Sequence, residues 1–239
     1  MANLCNKRDA ARTDRNHSFF EGDNNANISM LYEILMTYLM YNFDLGYVQG
    51  MSDFLSPIMV VMQDEVESFW SFVRFLQKTH RNFEMDQSAI KLQLHNLKVL
   101  LCCVDHELGY YLEAKEADNM FFTFRWLLVL FKREFSFDDI MALWEVLWTD
   151  LPCENFHLLI CVAILVQQKN MITENEFGFT EILKYVNNLS MNIDVNKTLT
   201  VAEGVYHQLF SSQDQLPAEV LTMLGFVNES TKPSSVQAV

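Results

Sequence analysis

The chain is short of basic charge. It has 17 lysines and arginines against 31 aspartates and glutamates, a formal net charge of −14, and no segment gathers the cationic patch that a DNA or RNA surface demands, so a nucleic-acid partner is excluded. It also lacks long hydrophobic runs. The longest uninterrupted one, Leu158 to Val166, falls far below the roughly 20 residues that span a bilayer, and the polar N-terminus has no signal-peptide apolar core. Its five cysteines, Cys5, Cys102, Cys103, Cys153 and Cys161, are odd in number and show no CxxC spacing, which fits reduced thiols better than a disulfide or zinc framework. There is no GxxxxGK[ST] or GxGxxG cradle, so any phosphate chemistry must use a partner's site. The expectation is a soluble, cytoplasmic chain with no metal or cofactor of its own.

What the chain does have is helical punctuation. Half of its 239 residues are hydrophobic, enough for one sizeable core, and a single domain is expected. Residues 1–27 are polar and offer little to a core, whereas 28–41 ("ISMLYEILMTYLMY") are apolar around most of a helical circumference and read as a buried helix. Pro57 is expected to start or kink a helix, and Asp64 with Glu67 has capping-box spacing. Ile90, Leu94, Leu97 and Leu101 share one helical face behind Asp86 as a cap. Further helices are predicted over 120–132, 137–148 behind a Ser136/Asp139 pair, 155–169, 179–189, 195–210 behind Asp194, and 217–224 with Gly225 closing the last. No period-two pattern or hairpin signal is found, so the fold class is all-α.

Several residues carry possible chemistry. Cys102 to Glu107 ("CCVDHE") has ligand types whose adjacency prevents convergence on one ion, and reads as core followed by a helix end. His157 and Cys161 have i, i+4 spacing but sit in "FHLLICVAILV", a buried-looking helix with no polar mouth, which argues against a nucleophile and base. In "RDAARTDR", Asp9 and Arg12 are spaced for a carboxylate to hold a guanidinium, although a solvated charge cluster has the same composition. Arg125 in "FRWLLVLFKREF" reads as a partly buried, paired or snorkelling residue; Arg133 is either structural or partner-facing. In "NFDLGYVQGMSD", Gly46 and Gly50 allow φ > 0 and close backbone approach around Gln49. That amide is either incidental to a turn or held outward, able to donate and accept together, as orienting a water requires.

Taken together, Asp9, Arg12 and Thr13 match the Asp-x-x-Arg-Thr motif, and Tyr47, Gln49, Gly50 and Met51 the Tyr-x-Gln-Gly-Met motif, of the TBC domain, the GTPase-activating module for Rab GTPases, which the chain therefore resembles. "FRWLLVLFKREFSFDDIMALWEVLW", containing Arg125, is similar to a third characteristic block, and the resemblance runs from about Asp9 to Leu224. "MYNFDLGYVQGMSD" and "LPCENFHLL" resemble the subgroup labelled members fifteen and seventeen.

The resemblance implies a multi-helix TBC-type domain over 9–225, a polar non-matching stretch over 1–8 and a disordered tail over 226–239. It implies Arg12 as an arginine finger, Gln49 as a glutamine finger that orients the attacking water, and Asp9 as the residue positioning Arg12, with Thr13, Tyr47, Gly50, Met51 and Arg125 in support. The partner would be a Rab-family small GTPase carrying GTP and magnesium, met at endosomal or mitochondrial surfaces, and the chain would be an activator rather than a hydrolase that binds GTP itself. The family places a hydrophobic residue three positions before the aspartate and several helices before that; here Asn6 and "MANLCNKR" stand there. The expectation is a domain lacking its first helices, with the helix of Arg12 short of support. The alternative function is a catalytically weak helical module that binds a Rab or a scaffold without activating it.

Overall fold

The computed structural model describes residues 2–43, 45–84 and 86–226; the tail expected to be disordered lies, from residue 227 on, outside them. Among the described residues the secondary structure is entirely helical: thirteen α-helices and three short 3-10 turns, with no strand. In chain order the helices are α1 (Ala2–Arg12), α2 (Ala26–Tyr41), α3 (Met51–Met62), α4 (Glu65–Thr79), α5 (Ser88–Val104), α6 (His106–Ala114), α7 (Phe124–Leu128), α8 (Phe137–Trp148), α9 (Phe156–Gln167), α10 (Lys169–Glu174), α11 (Phe179–Asn188), α12 (Val195–Ser211) and α13 (Ala218–Met223).

The chain forms two compact units. Of the described residues, the first comprises those within 2–93, 121–142 and 185–193, and the second those within 94–120, 143–184 and 194–226. In the first, α1 packs on α2, α2 on α3 and α4, and α3 on α4. In the second, α9 packs against α12, and α10 against α6 and α9. Leu158 through Leu165 are all buried along α9, the central apolar rod of that unit.

Capping chemistry sets several boundaries. The Asp64 carboxylate accepts from the Glu67 N–H at 2.9 Å, Asp194 from the Lys197 N–H at 2.9 Å, and Ser136 Oγ from the Asp139 N–H at 3.2 Å, each satisfying a donor that the first turn leaves open. The Ser136 hydroxyl donates in turn to the Asp139 carboxylate at 2.7 Å. At the C-terminal end of α13, Gly225 has φ +68° and the Phe226 N–H reaches the Leu221 carbonyl at 2.8 Å, closing the helix in a Schellman turn. The face formed by Ile90, Leu94, Leu97 and Leu101 is buried as its spacing predicts.

Four expectations need correction. The opening segment does supply core, because Ala10 and Phe20 are buried, and the last turn of α1 is supported, with Asp9 and Thr13 buried as well. Helix α2 is buried on one face only: Leu31, Ile34, Leu35 and Tyr38 turn inward, while Met40 and Tyr41 are exposed. Of the two expectations for Pro57, that it starts a helix is set aside: it lies inside α3, which begins at Met51 behind Gly50. The helix expected over 120–132 is instead a 3-10 turn at Phe121–Thr123, the short α7, and a loop in which Leu130 and Phe131 take φ +42° and +62°.

Candidate functional site

All the residues that the sequence singles out as fingers and supports belong to the first unit. Arg12 is the last residue of α1, and its guanidinium meets the Asp9 carboxylate one turn back at 2.6 Å. The two side chains differ in exposure: Arg12 is 61% exposed and Asp9 10%. The arginine therefore presents its charge to solvent while its counter-ion stays fixed in the protein. Thr13 closes the turn by donating from Oγ1 to the Asp9 carbonyl at 2.7 Å.

The second carboxylate oxygen of Asp9 is taken by the other motif. Tyr47 Oη donates to Asp9 Oδ2 at 2.7 Å, across 38 residues of sequence. Burial, and then the hydrogen bond to Asp9, push the Tyr47 phenol well above its ordinary value, so it is a neutral donor across the physiological range. Asp9 thus joins the arginine of one motif to the tyrosine of the other. Two residues after Tyr47, Gln49 is exposed.

Gly50 supplies the backbone that makes this turn feasible. Its φ is +114°, a conformation for which L side chains are poorly suited, and a Cβ there would lie 3.0 Å from Val129 Cγ1 and 3.4 Å from Phe83 Cε1. Met51 follows as a fully buried anchor at the start of α3. The turn is closed from within by the Met51 N–H donating to the Val48 carbonyl at 3.2 Å.

The loop after α7 braces this arrangement from behind. Arg125 forms a two-pronged pair with the fully buried Glu134 carboxylate, at 2.6 and 2.9 Å, which settles it as a paired structural residue. Arg133 pairs in the same forked manner with Asp53 in the first turn of α3, at 2.9 and 2.8 Å, and that bond raises its affinity for its proton still further. The Glu134 carbonyl accepts from the Met191 N–H at 2.7 Å, and the Arg133 carbonyl from the Ser190 hydroxyl. Glu134, and Asp14 with Lys132, which are paired at 2.9 Å, were not singled out by sequence reasoning. The available signal was the density of charge in "KRE" and "RTDR", within otherwise apolar or helix-ending sequence.

The other candidates resolve into structure. Asp105 ends the Cys102–Glu107 stretch by capping α6, accepting from the Leu108 N–H at 3.0 Å, and it pairs with Lys169. Burial lowers the pKa of His157 to about 4, which leaves that imidazole neutral on α9. Cys102, Cys103, Cys153 and Cys161 are in no disulfide among the described residues, and Cys153 is pushed up to about 12 by burial, the opposite of a reactive thiolate.

Comparison with known proteins identifies the family. The profile of the Rab-GTPase-TBC domain matches residues 7–173, more than half of the chain and inclusive of both motifs. The chain belongs to the Rab-GTPase-TBC domain family. This TBC domain is 48% identical over 229 residues to TBC1 domain family member 17 of Mus musculus, covering 96% of the chain and 35% of the mouse protein. It is 43% identical over 225 residues to the GTPase-activating protein GYP7 of Yarrowia lipolytica, covering 84% of the chain and 31% of the yeast protein. The TBC domain described here therefore spans about a third of the length of these curated relatives. Its fold is that of the crystallised Ypt/Rab-GAP domain of Gyp1p, with a TM-score of 0.73 at 19% identity, over 87% of this chain and 72% of that one. A Chlamydomonas flagellar RabGAP TBC domain shares it at a TM-score of 0.69 and 17% identity, over 84% and 67%. No helix among the described residues is long and apolar enough to cross a membrane.

Proposed function

We propose that this TBC domain is a GTPase-activating module for a Rab-family small GTPase, with Arg12 as the arginine finger and Gln49 as the glutamine finger. The observation that carries the reading is the double use of Asp9. One oxygen holds Arg12 at 2.6 Å and the other receives the Tyr47 hydroxyl at 2.7 Å, so a single buried carboxylate couples the cation to the loop of the amide. Nucleotide and magnesium belong to the partner. What this chain adds is charge and hydrogen bonding in a prearranged pair, which suits a reaction governed by positioning and electrostatic stabilisation.

In this reading Asp9 keeps the Arg12 fork directed before the partner arrives, so little orientational freedom remains to be lost at the transition state. Arg12 then neutralises charge on the transferring phosphoryl group. The exposed, neutral Gln49 amide accepts from the attacking water and donates to a neighbouring oxygen. An arginine finger contributes about 10³ to 10⁵ in rate, roughly 4 to 7 kcal/mol of barrier.

The test is single-turnover hydrolysis by a panel of GTP-loaded Rabs with and without the chain. At least one Rab should be accelerated, and Arg12→Ala or Gln49→Ala should each remove most of that gain; Gln49→Ala should leave the thermal midpoint nearly unchanged, whereas Arg12→Ala should lower it modestly because the buried Asp9 carboxylate loses a partner. Arg12→Lys should recover little, because an ammonium lacks the planar fork. GTP-dependent binding without acceleration would instead establish a binding module, and fully active finger variants would refute the assignment of these two residues.

A further inference from the structure

Resting on the reading above, we propose that Lys132 is a positioning residue for Arg12, acting through Asp14, and that the arginine finger is braced on both sides rather than by Asp9 alone. Arg12 ends its helix. A side chain at a helix terminus shares the fraying of that terminus unless the chain beyond it is also fixed.

Here it is fixed by charge. Two residues after Arg12 the backbone turns left-handed at Asp14, with φ +43°. One Asp14 oxygen accepts from Lys132 Nζ at 2.9 Å, across 118 residues, and the other from the Ser56 hydroxyl. Lys132 is 5% exposed, and its ammonium also lies 4.9 Å from the centroid of the Phe137 ring, against which His17 packs at 4.2 Å. A lysine this buried carries a large desolvation cost, and a close carboxylate and an aromatic face are what offset it.

The connection to Ser56 gives the pair its bearing on the site. Ser56 lies on α3, the helix that starts immediately after Gln49 and Gly50. Two bonds therefore tie the Arg12 turn to the glutamine segment: Asp9 to Tyr47 ahead of the finger, and Asp14 to Ser56 behind it. Lys132 holds the second in register by supplying the cation that keeps the Asp14 carboxylate directed toward Ser56. A general stabilising pair would do no more than raise the unfolding free energy. A positioning pair also sets where Arg12 stands when the partner docks.

The experiment uses the full chain and the Rab that it accelerates most within the panel. Lys132→Met should lower kcat about 10- to 100-fold, the cost of a displacement of roughly 1 Å, with KM within about twofold. Asp14→Asn should do the same, and the double variant should be no worse than either single one, since the two act as one unit. Lys132→Arg, which retains a cation, should recover most of the loss. Lys169→Met, which breaks the pairs with Asp105 and Glu107 in the second unit, is the control and should leave kcat unchanged. The second readout needs no Rab: the 15N order parameter of the Arg12 Nε–H in the free protein should fall in both Lys132→Met and Asp14→Asn.

An unchanged kcat in folded Lys132→Met, additive losses in the double variant, an equal loss in Lys169→Met, or an unchanged Arg12 order parameter would overturn the proposal. If the wild-type chain accelerates no Rab, the functional reading fails, while the order parameter still decides whether Lys132 and Asp14 brace Arg12.

Discussion

At the scale of single residues, the decisive contact is between Asp9 and Tyr47, and it was half legible. Asp9 and Arg12 have a spacing that any helix turns into a pair, and the structure shows it at 2.6 Å. That Tyr47 would take the remaining oxygen could not be read, because a contact across 38 residues is set by tertiary packing and leaves no local period. Its consequence for pH has a definite sign. The phenol is raised above its ordinary value of 10.0 in the folded state by burial and by Asp9, so between that value and its folded one the native protein retains a proton that the unfolded chain loses. Stability from this group is therefore complete below pH 10 and declines above it, by at most about 1.4 kcal/mol per pH unit. Tyr47→Phe should be about 1 to 3 kcal/mol less stable at pH 7, because a buried Asp9 oxygen loses its donor. In urea titrations it should also show a shallower loss between pH 10 and 11 than wild type. Equal slopes would contradict the assignment of that decline to Tyr47.

At the scale of elements, the caps and apolar faces were readable because they are local, whereas the loop after α7 was not. The sequence from 120 to 132 has the composition of a continuous helix, yet a straight helix carried on to Glu134 would set it and Arg125, nine residues apart, about 13.5 Å from each other along its axis. They are instead in forked contact, and the chain reverses through Leu130 and Phe131 to bring them together. Bulky residues rarely take positive φ, so local preference alone favours the helix. What outweighs it is burial of Trp126, Phe131 and Phe135 together with the ion pair, contributions that only the folded unit supplies. Removing the anion should reopen the loop. Glu134→Ala should cost about 3 kcal/mol, the lower end for breaking a buried pair, since Arg125 is 34% exposed and water takes up part of its charge. Because Lys132 and Arg133 ride on the same loop, the proposed stimulation of GTP hydrolysis by a Rab should fall as well. Urea unfolding within about 0.5 kcal/mol of wild type would show that the pair does not hold the loop.

At the scale of the whole molecule, the all-α class followed from pattern alone, but the division into two units did not, because each unit gathers three separated stretches of chain. Segment 185–193 illustrates the difficulty: it belongs with the first unit, where Ser190 and Met191 hold the backbone of Arg133 and Glu134. Hydrophobic periodicity identifies such a stretch as the end of a helix and says nothing of which core receives it. A chain with a net charge of −14 would also be expected to gain from mild acidification, as self-repulsion is relieved. His157 opposes that gain. Burial lowers its folded-state value to about 4 from 6.5, so between these limits the unfolded chain binds a proton that the native one does not, and stability must fall as pH falls through the window. Asp86, Asp105 and Asp118, held below their ordinary 3.8, act only at more acidic pH. His157→Gln removes the titrating group, so its unfolding free energy should drop less between pH 6.5 and 4.5, by about 2 kcal/mol, even if the substitution costs stability at pH 7. Parallel pH profiles for the two proteins would show that His157 is protonated in the native state as readily as in the unfolded chain.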